Sequence, residues 1–187
     1  MPMSLERRAL LPFICSALLS SGCSIQAQPG RMQVTPDALA SLSYDVALPG
    51  SIVLGDVTGG EKTPPMLVSK VGDSELAAAL RSSLEQQGLL AVGGRVARFR
   101  LQVFLAELNQ PQRGLGLTVV SVVRYRLLRE TDGGQVLEEV VTAAATATTQ
   151  DAFLGPTRLR IANEASIRQN ISEFLKRMAR IRLQGVP

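Results

Sequence analysis

From about Val96 the apolar residues recur at every second position: Phe99, Leu101, Val103 and Leu105 alternate with Arg98, Arg100, Gln102, Phe104 and Ala106. Only an extended chain sends alternate side chains to one face, so this stretch reads as a half-buried strand. Asn109, Pro111 and Gly114 break the pattern, and Leu115 to Arg129 resumes it. There Leu117, Val119, Val123, Tyr125 and Leu127 share one face, with Thr118, Arg124 and Arg126 on the other. Asp132-Gly133-Gly134 predicts a hairpin, because such turns need the positive φ that glycine accepts. A third strand then returns from Gln135 to about Thr149. Ala143, Ala144, Ala145 and Ala147 favour a helix in it, but Thr142, Thr146, Thr148 and Thr149 favour a strand. Three long strands with one apolar face demand a second layer to cover that face. The small side chains of the third would admit a helix at close range.

Two amphipathic segments supply the cover. Asp73 or Ser74 is the expected N-cap of a helix to about Gln87, with Gly88 as its left-handed C-terminal residue and Leu89 as the apolar contact beyond it. Leu76, Ala77, Leu80 and Leu84 form its stripe, and Glu75, Arg81, Ser82, Glu85 and Gln86 point away. Gly155 and Pro156 open a second helix, since proline lacks an N–H that the first turn does not use. From Ile167 onward, Ile167, Ile171, Phe174, Leu175, Met178 and Ile181 form one stripe. Ile161 and Ala165 lie off that line, so the first turns must pack differently or the helix must bend. Glu164 and Arg168 are spaced as an i,i+4 ion pair.

Ser51 to Gly55 is a β-rich run ended by glycine and reads as the first secure strand. The expected fold is therefore an α+β two-layer sandwich: strand, helix, three strands, helix, with a mostly antiparallel sheet and both helices on one face. Residues 51–187 form this single domain. Residues 23–50, with Pro29, Gly30, Pro36 and Pro49 and no sustained period, read as a tether, within which Tyr44 to Leu48 could add a short edge strand.

The beginning of the chain is an address. Arg7 and Arg8 precede an apolar run from Ala9 to Leu19, about eleven residues, followed by Ser20, Ser21 and Gly22, which is the layout of a secretory signal. Crossing a bilayer takes about 20 apolar residues, so the run is too short to span. Gly22-Cys23 at the junction resembles the lipobox of bacterial lipoproteins, although Leu19 stands one place earlier than the family's usual leucine and Ser20 takes its position. The resemblance implies removal of residues 1–22 and acylation of Cys23 as the new N-terminus. Ser24 after the cysteine implies an outer-membrane destination.

Composition narrows the chemistry. The chain has no histidine, no tryptophan and two cysteines, Cys15 and Cys23. Without histidine it lacks the commonest general base and metal ligand, and no Ser-His pair can form. Cys15 lies in the segment expected to be removed, so the mature chain must fold without an internal disulfide. Aromatics make up only 4% of the sequence, too few for base-stacking platforms, so nucleic acid is not an expected partner. The net charge of +4 is modest, and its excess lies in residues 158–182, where Arg158, Arg160, Arg168, Lys176, Arg177, Arg180 and Arg182 face only Glu164 and Glu173. Lys176, Arg177 and Arg180, on the wheel's outer side, are the candidate binding patch; they also suit the helix dipole.

Gly55 to Thr63 approaches a phosphate-binding loop, but Glu61 intervenes between the second glycine and Lys62, and Pro64 follows where a helix should start. A glycine-rich turn is the better reading. Two pairs could serve a histidine-free enzyme, Ser69 with Lys70 and Asp151 with Glu164. No metal site and no cofactor are expected.

Thr58-Gly59-Gly60, Glu75 to Leu90, Arg124-Tyr125-Arg126-Leu127 and Asp151 to Leu175 resemble a group of uncharacterised proteobacterial lipoproteins, and the element order resembles the YajG-type lipoproteins. Neither brings an active site. The favoured expectation is a non-catalytic protein on the periplasmic face of the outer membrane, held by its lipid and binding another envelope component. The alternatives are a periplasmic carrier of a lipid or small apolar ligand between sheet and helices and, behind it, the histidine-free enzyme.

Overall fold

In a computed structural model, which describes residues 26–63, 68–111 and 113–183, the three period-two segments are long antiparallel strands: β2 (Phe99–Asn109), β3 (Leu117–Arg129) and β4 (Gln135–Ala147). Ahead of them lie a one-turn helix α1 (Pro29–Met32), a 3-10 turn (Pro36–Leu39), strand β1 (Ile52–Thr58) and helix α2 (Asp73–Gln86); helix α3 (Gly155–Met178) closes the chain. The sheet order is β1-β2-β3-β4. β1 pairs with β2 in parallel, Ile52 opposite Phe99, because α2 carries the chain back to the starting end of the sheet. The α+β sandwich is as expected. The predicted faces hold: Phe99, Leu101, Val103 and Leu105 of β2 and Leu117, Val119, Val123, Tyr125 and Leu127 of β3 are all buried.

Each helix is built as its sequence suggests, with one exception at a start. α2 ends in a Schellman motif: the Leu89 N–H donates to the Leu84 carbonyl at 2.9 Å and the Gly88 N–H to that of Glu85 at 2.9 Å, with Gly88 at φ 65°. Its N-cap is Gly72, not Asp73 or Ser74. The Asp73 carboxylate instead accepts the Gly60 N–H at 2.7 Å and ties the end of β1 to the start of the helix. Leu76, Ala79, Leu80, Ser83 and Leu84 form its buried face.

The first turns of α3 do pack differently, and they do so with polar groups. Arg158, Asn163, Glu164, Ser166 and Asn170 are all buried. Ser166 Oγ donates to Ser121 Oγ at 2.8 Å, while Asn170 Nδ2 donates to the Val141 carbonyl at 2.8 Å. The helix approaches where β4 offers Val141, Ala143, Ala145 and Ala147, so its small residues serve close packing. Glu164 pairs with Arg160 at 2.9 Å and not with Arg168, which reaches across to the Arg31 carbonyl at 2.8 Å.

The tether reading of residues 23–50 is corrected over its described part. Ala27, Met32, Val34, Leu39, Ala47 and Leu48 belong to the main hydrophobic core. α1 touches both α2 and α3, and those two helices have few contacts with each other, so the segment is a wedge between them. The Val34 N–H donates to Ser83 Oγ at 3.0 Å, and the Gln28 N–H to Glu164 at 2.9 Å. Burial of single apolar residues against two different helices leaves no sequence period, which is why the stretch looks featureless. Tyr44 to Leu48 is a turn and not an edge strand, with Asp45 accepting the Ala47 and Leu183 N–H groups.

Candidate functional site

Lys176, Arg177 and Arg180 do not all line one groove: Lys176 and Arg177 share one, and Lys176 and Arg180 share the depression beside it. On an α-helix, residues four apart share a face and adjacent residues are turned by about 100°. Arg177 turns toward β4, where it pairs with Glu139 at 2.9 Å and with Glu173 at 3.4 Å and donates to the Val140 carbonyl at 3.3 Å. The Glu139 carboxylate holds the Arg177 guanidinium in its charged form, raising its pKa. Lys176 and Arg180 are exposed on the side facing the N-terminal wedge.

That side is a groove of about 850 Å³ between the wedge, α3 and β4. Its cations are Arg31, Arg168, Lys176 and Arg177, and Glu173 is its one acid. Arg180 continues the line into a shallower depression beside Ala38, Leu39 and Ser41, which Lys176 also borders. Sequence reading found Lys176 and Arg180 but missed Arg31 and Arg168. Arg31 lies in the stretch read as a tether, and Arg168 was assigned to an ion pair with Glu164. Nothing in the sequence brings residue 31 beside residue 168; the wedge does.

Ser69 is fully buried: its carbonyl accepts Gln110 Nε2 at 2.7 Å and Asn163 Nδ2 at 3.0 Å, and its hydroxyl has no hydrogen-bond partner among the described residues. Its neighbour Lys70 turns to Glu61 at 3.1 Å. Asp151 accepts the Thr148 N–H at 2.7 Å and its hydroxyl at 3.0 Å, and the backbone bond lowers the carboxyl pKa. Glu164, in contrast, is held by Arg160 and the Gln28 N–H in the helix interface. Neither pair converges on a common point. The near phosphate-binding loop begins as strand, since β1 runs through Thr58. Among the described residues no group of three or more acidic, histidine or cysteine side chains could hold a metal, and no helix is long and apolar enough to cross a membrane. Cys23 lies outside the described residues.

A second cleft, about 990 Å³, opens at the end of the molecule where the end of β2 and the start of β3 meet the start of α3. Val68, Leu108, Pro111, Leu117, Pro156 and Leu159 give it apolar walls, with Lys70, Arg113 and Arg158 among them. The buried Arg158 guanidinium donates to the carbonyls of Ala152 at 3.1 Å, Phe153 at 2.7 Å and Gly114 at 3.3 Å.

Comparison with known proteins places the fold. A Xanthomonas campestris protein of the DUF330 family superposes with a TM-score of 0.52 at 12% identity, covering 74% of this chain and 90% of that one. A candidate lipoprotein from Caulobacter crescentus CB15 gives a TM-score of 0.48 at 16% identity, over 70% and 89%. A minor lipoprotein from Acinetobacter baumannii gives 0.46 at 14% identity, over 69% and 90%. These are likenesses of fold. No protein-family model matches the sequence, and no curated protein is similar to it.

Proposed function

We propose that this protein is a non-catalytic envelope lipoprotein, acylated at Cys23, held at the periplasmic face of the outer membrane, and binding an anionic envelope component through the groove of Arg31, Arg168 and Lys176 and the adjoining depression that Arg180 borders. The observation that carries the binding role is the groove itself: Arg31, Arg168, Lys176 and Arg177, from two distant parts of the chain, line it with Glu173 as the acid among them, and Arg180 joins Lys176 in the depression beside it. The signal-like start of the chain and its Gly22-Cys23 junction support the anchor. The likeness of the element order to YajG-type lipoproteins belongs to the same reading. Two acyl signals make an anchor stable where one does not, and lipoprotein maturation adds more than one chain.

The experiment has two arms. Cys23→Ser protein leaves the membrane fraction while keeping the wild-type melting temperature; retention in the outer membrane refutes the anchor. Separately, Lys176→Glu with Arg180→Glu weakens capture of the envelope partner, and wild-type capture weakens with salt as the Debye length falls from about 10 Å at 0.1 M to about 3 Å at 1 M. Capture unchanged by both the substitutions and salt refutes the groove.

A further inference from the structure

The end of the molecule that carries the second cleft also carries four large exposed apolar side chains: Leu115 at 79% exposure, Phe153 at 89%, Leu154 at 63% and Val68 at 49%. They come from three separate loops, between β1 and α2, between β2 and β3, and between β4 and α3. Arg158 fixes two of these loops together, since one buried guanidinium holds the carbonyls of both Gly114 and Phe153. The two loops that carry Leu115, Phe153 and Leu154 are thus held next to each other. Large exposed apolar side chains gathered at one end of a folded domain mark a contact with something apolar.

The course of the N-terminal chain identifies that contact. Read backward from Val34, which is bound to Ser83 near the far end of α2, the chain climbs to Gln28, bound to Glu164, and to Gln26, bound to Glu75 in the first turn of α2. Gln26 thus lies near the start of α2, at the end that bears Leu115 and Phe153. The wedge consumes most of what would have been a long tether. Five residue steps lead from Gln28 to Cys23, a reach of at most about 18 Å fully extended. Glu164 lies nine residues into α3, about 14 Å below the start of the helix, whereas Met178 is about 21 Å away in the opposite direction. An acylated Cys23 can therefore reach the level of Phe153 and falls short of the opposite end.

We infer that this end of the domain docks on the phospholipid surface, with Leu115, Phe153 and Leu154 inserted among the headgroups beside the acyl anchor. The inference rests on the acylation of Cys23 proposed above and adds a fixed orientation to it. The bound domain then stands with α2 and α3 pointing their N-termini at the membrane, and the basic groove faces sideways along it. Insertion of this kind is apolar in origin and changes little with salt, unlike the groove.

The mature chain offers an unusually clean test, because its one cysteine thiol is consumed by acylation. Single variants Leu115→Cys, Phe153→Cys, Val46→Cys and Val96→Cys, made in the full acylated protein, are labelled with an environment-sensitive fluorophore and reconstituted in phosphatidylethanolamine and phosphatidylglycerol vesicles containing headgroup-proximal doxyl lipid. Val46 and Val96 are 95% and 86% exposed, at the opposite end, and serve as controls. The expected result is a blue shift and loss of most of the emission at positions 115 and 153, with neither change at 46 and 96, at low and at high salt. Unquenched labels at 115 and 153, on protein that is acylated by mass and bound to the vesicles, overturn the orientation and leave the anchor standing. Labels at 115 and 153 that are shielded before vesicles are added, on a protein that sediments as an oligomer, assign this end to a second copy of the chain and also overturn it. Protein with an unmodified Cys23 that stays free of vesicles overturns the anchor and the orientation together.

Discussion

Tyr125 on β3 lies parallel to Phe174 on α3, with ring centroids 3.9 Å apart and planes inclined by 7°. Both rings are fully buried, and the Tyr125 hydroxyl donates to Asn170 Oδ1 at 2.8 Å, one helical turn before Phe174. Asn170 passes the connection on, donating to the carbonyls of Ser121 at 3.2 Å and Val141 at 2.8 Å. A ring stack alone tolerates sliding; a directional bond on either side of it fixes the helix in one register over β3 and β4.

Asn170→Ala is expected to destabilise the domain by about 2–4 kcal/mol, because it leaves the buried Tyr125 hydroxyl without its acceptor and opens a gap. Tyr125→Phe keeps the stack and should cost about 1–2 kcal/mol. Urea unfolding of both single variants and the double variant measures the coupling; additive losses would show that the hydroxyl and the amide act independently.

The wedge predicts that Met32→Ala costs about 2–5 kcal/mol, as for a core methionine. Met32 is fully buried although it lies in a proline-containing stretch that is remote in sequence from any long element. If residues before Ser51 were a tether, urea midpoints of Met32→Ala and wild type would coincide.

Ile171→Asp places a carboxylate beneath the sheet and is expected to unfold the domain, whereas Lys176→Asp leaves the melting temperature near that of wild type. Arg177→Glu falls between them. It sets a third carboxylate against Glu139 and Glu173, so it should lower the melting temperature where Arg180→Glu does not.

Gly60→Ala is expected to destabilise more than Gly88→Ala. A Cβ at Gly60 would lie 2.6 Å from the Asp73 nitrogen and 2.7 Å from the Val71 carbonyl oxygen, and the contact that closes β1 onto α2 would have to open. At Gly88 nothing lies within 4 Å, and the cost is only that of a positive φ, about 1 kcal/mol. Thermal unfolding of the pair ranks them.

Both tyrosines ionise late. Burial raises the Tyr44 phenol to about 12 and raises Tyr125 further. Because the folded values are raised, the neutral phenols stabilise the fold fully below the ordinary value of about 10, and this contribution is lost as pH rises through about 12 at Tyr44. Native protein at pH near 10 should therefore show almost no phenolate absorbance, while the same sample in concentrated urea shows about half of the full signal. Equal absorbance in the two states would mean that the rings are wet.

The sequence by itself determined the strands and helices, because periods of 2.0 and 3.6 are local and each apolar stripe had one layer to meet. Phe99 to Leu105, the Leu84 to Leu89 cap and the Ile171 to Met178 stripe could be read without knowing what they touch. Tertiary structure alone decided the polar seam of Ser121, Ser166 and Asn170, which interrupts the pattern of apolar burial, and the place of Met32, Val34 and Leu39, which have no period because each meets a different neighbour. It also decided that Lys176 faces Arg31 and Arg168 while Arg177 faces Glu139. A charge pattern along one helix reports the angle at which a side chain leaves the axis, but whether that direction ends in water, a carboxylate or another cation depends on segments distant in the chain.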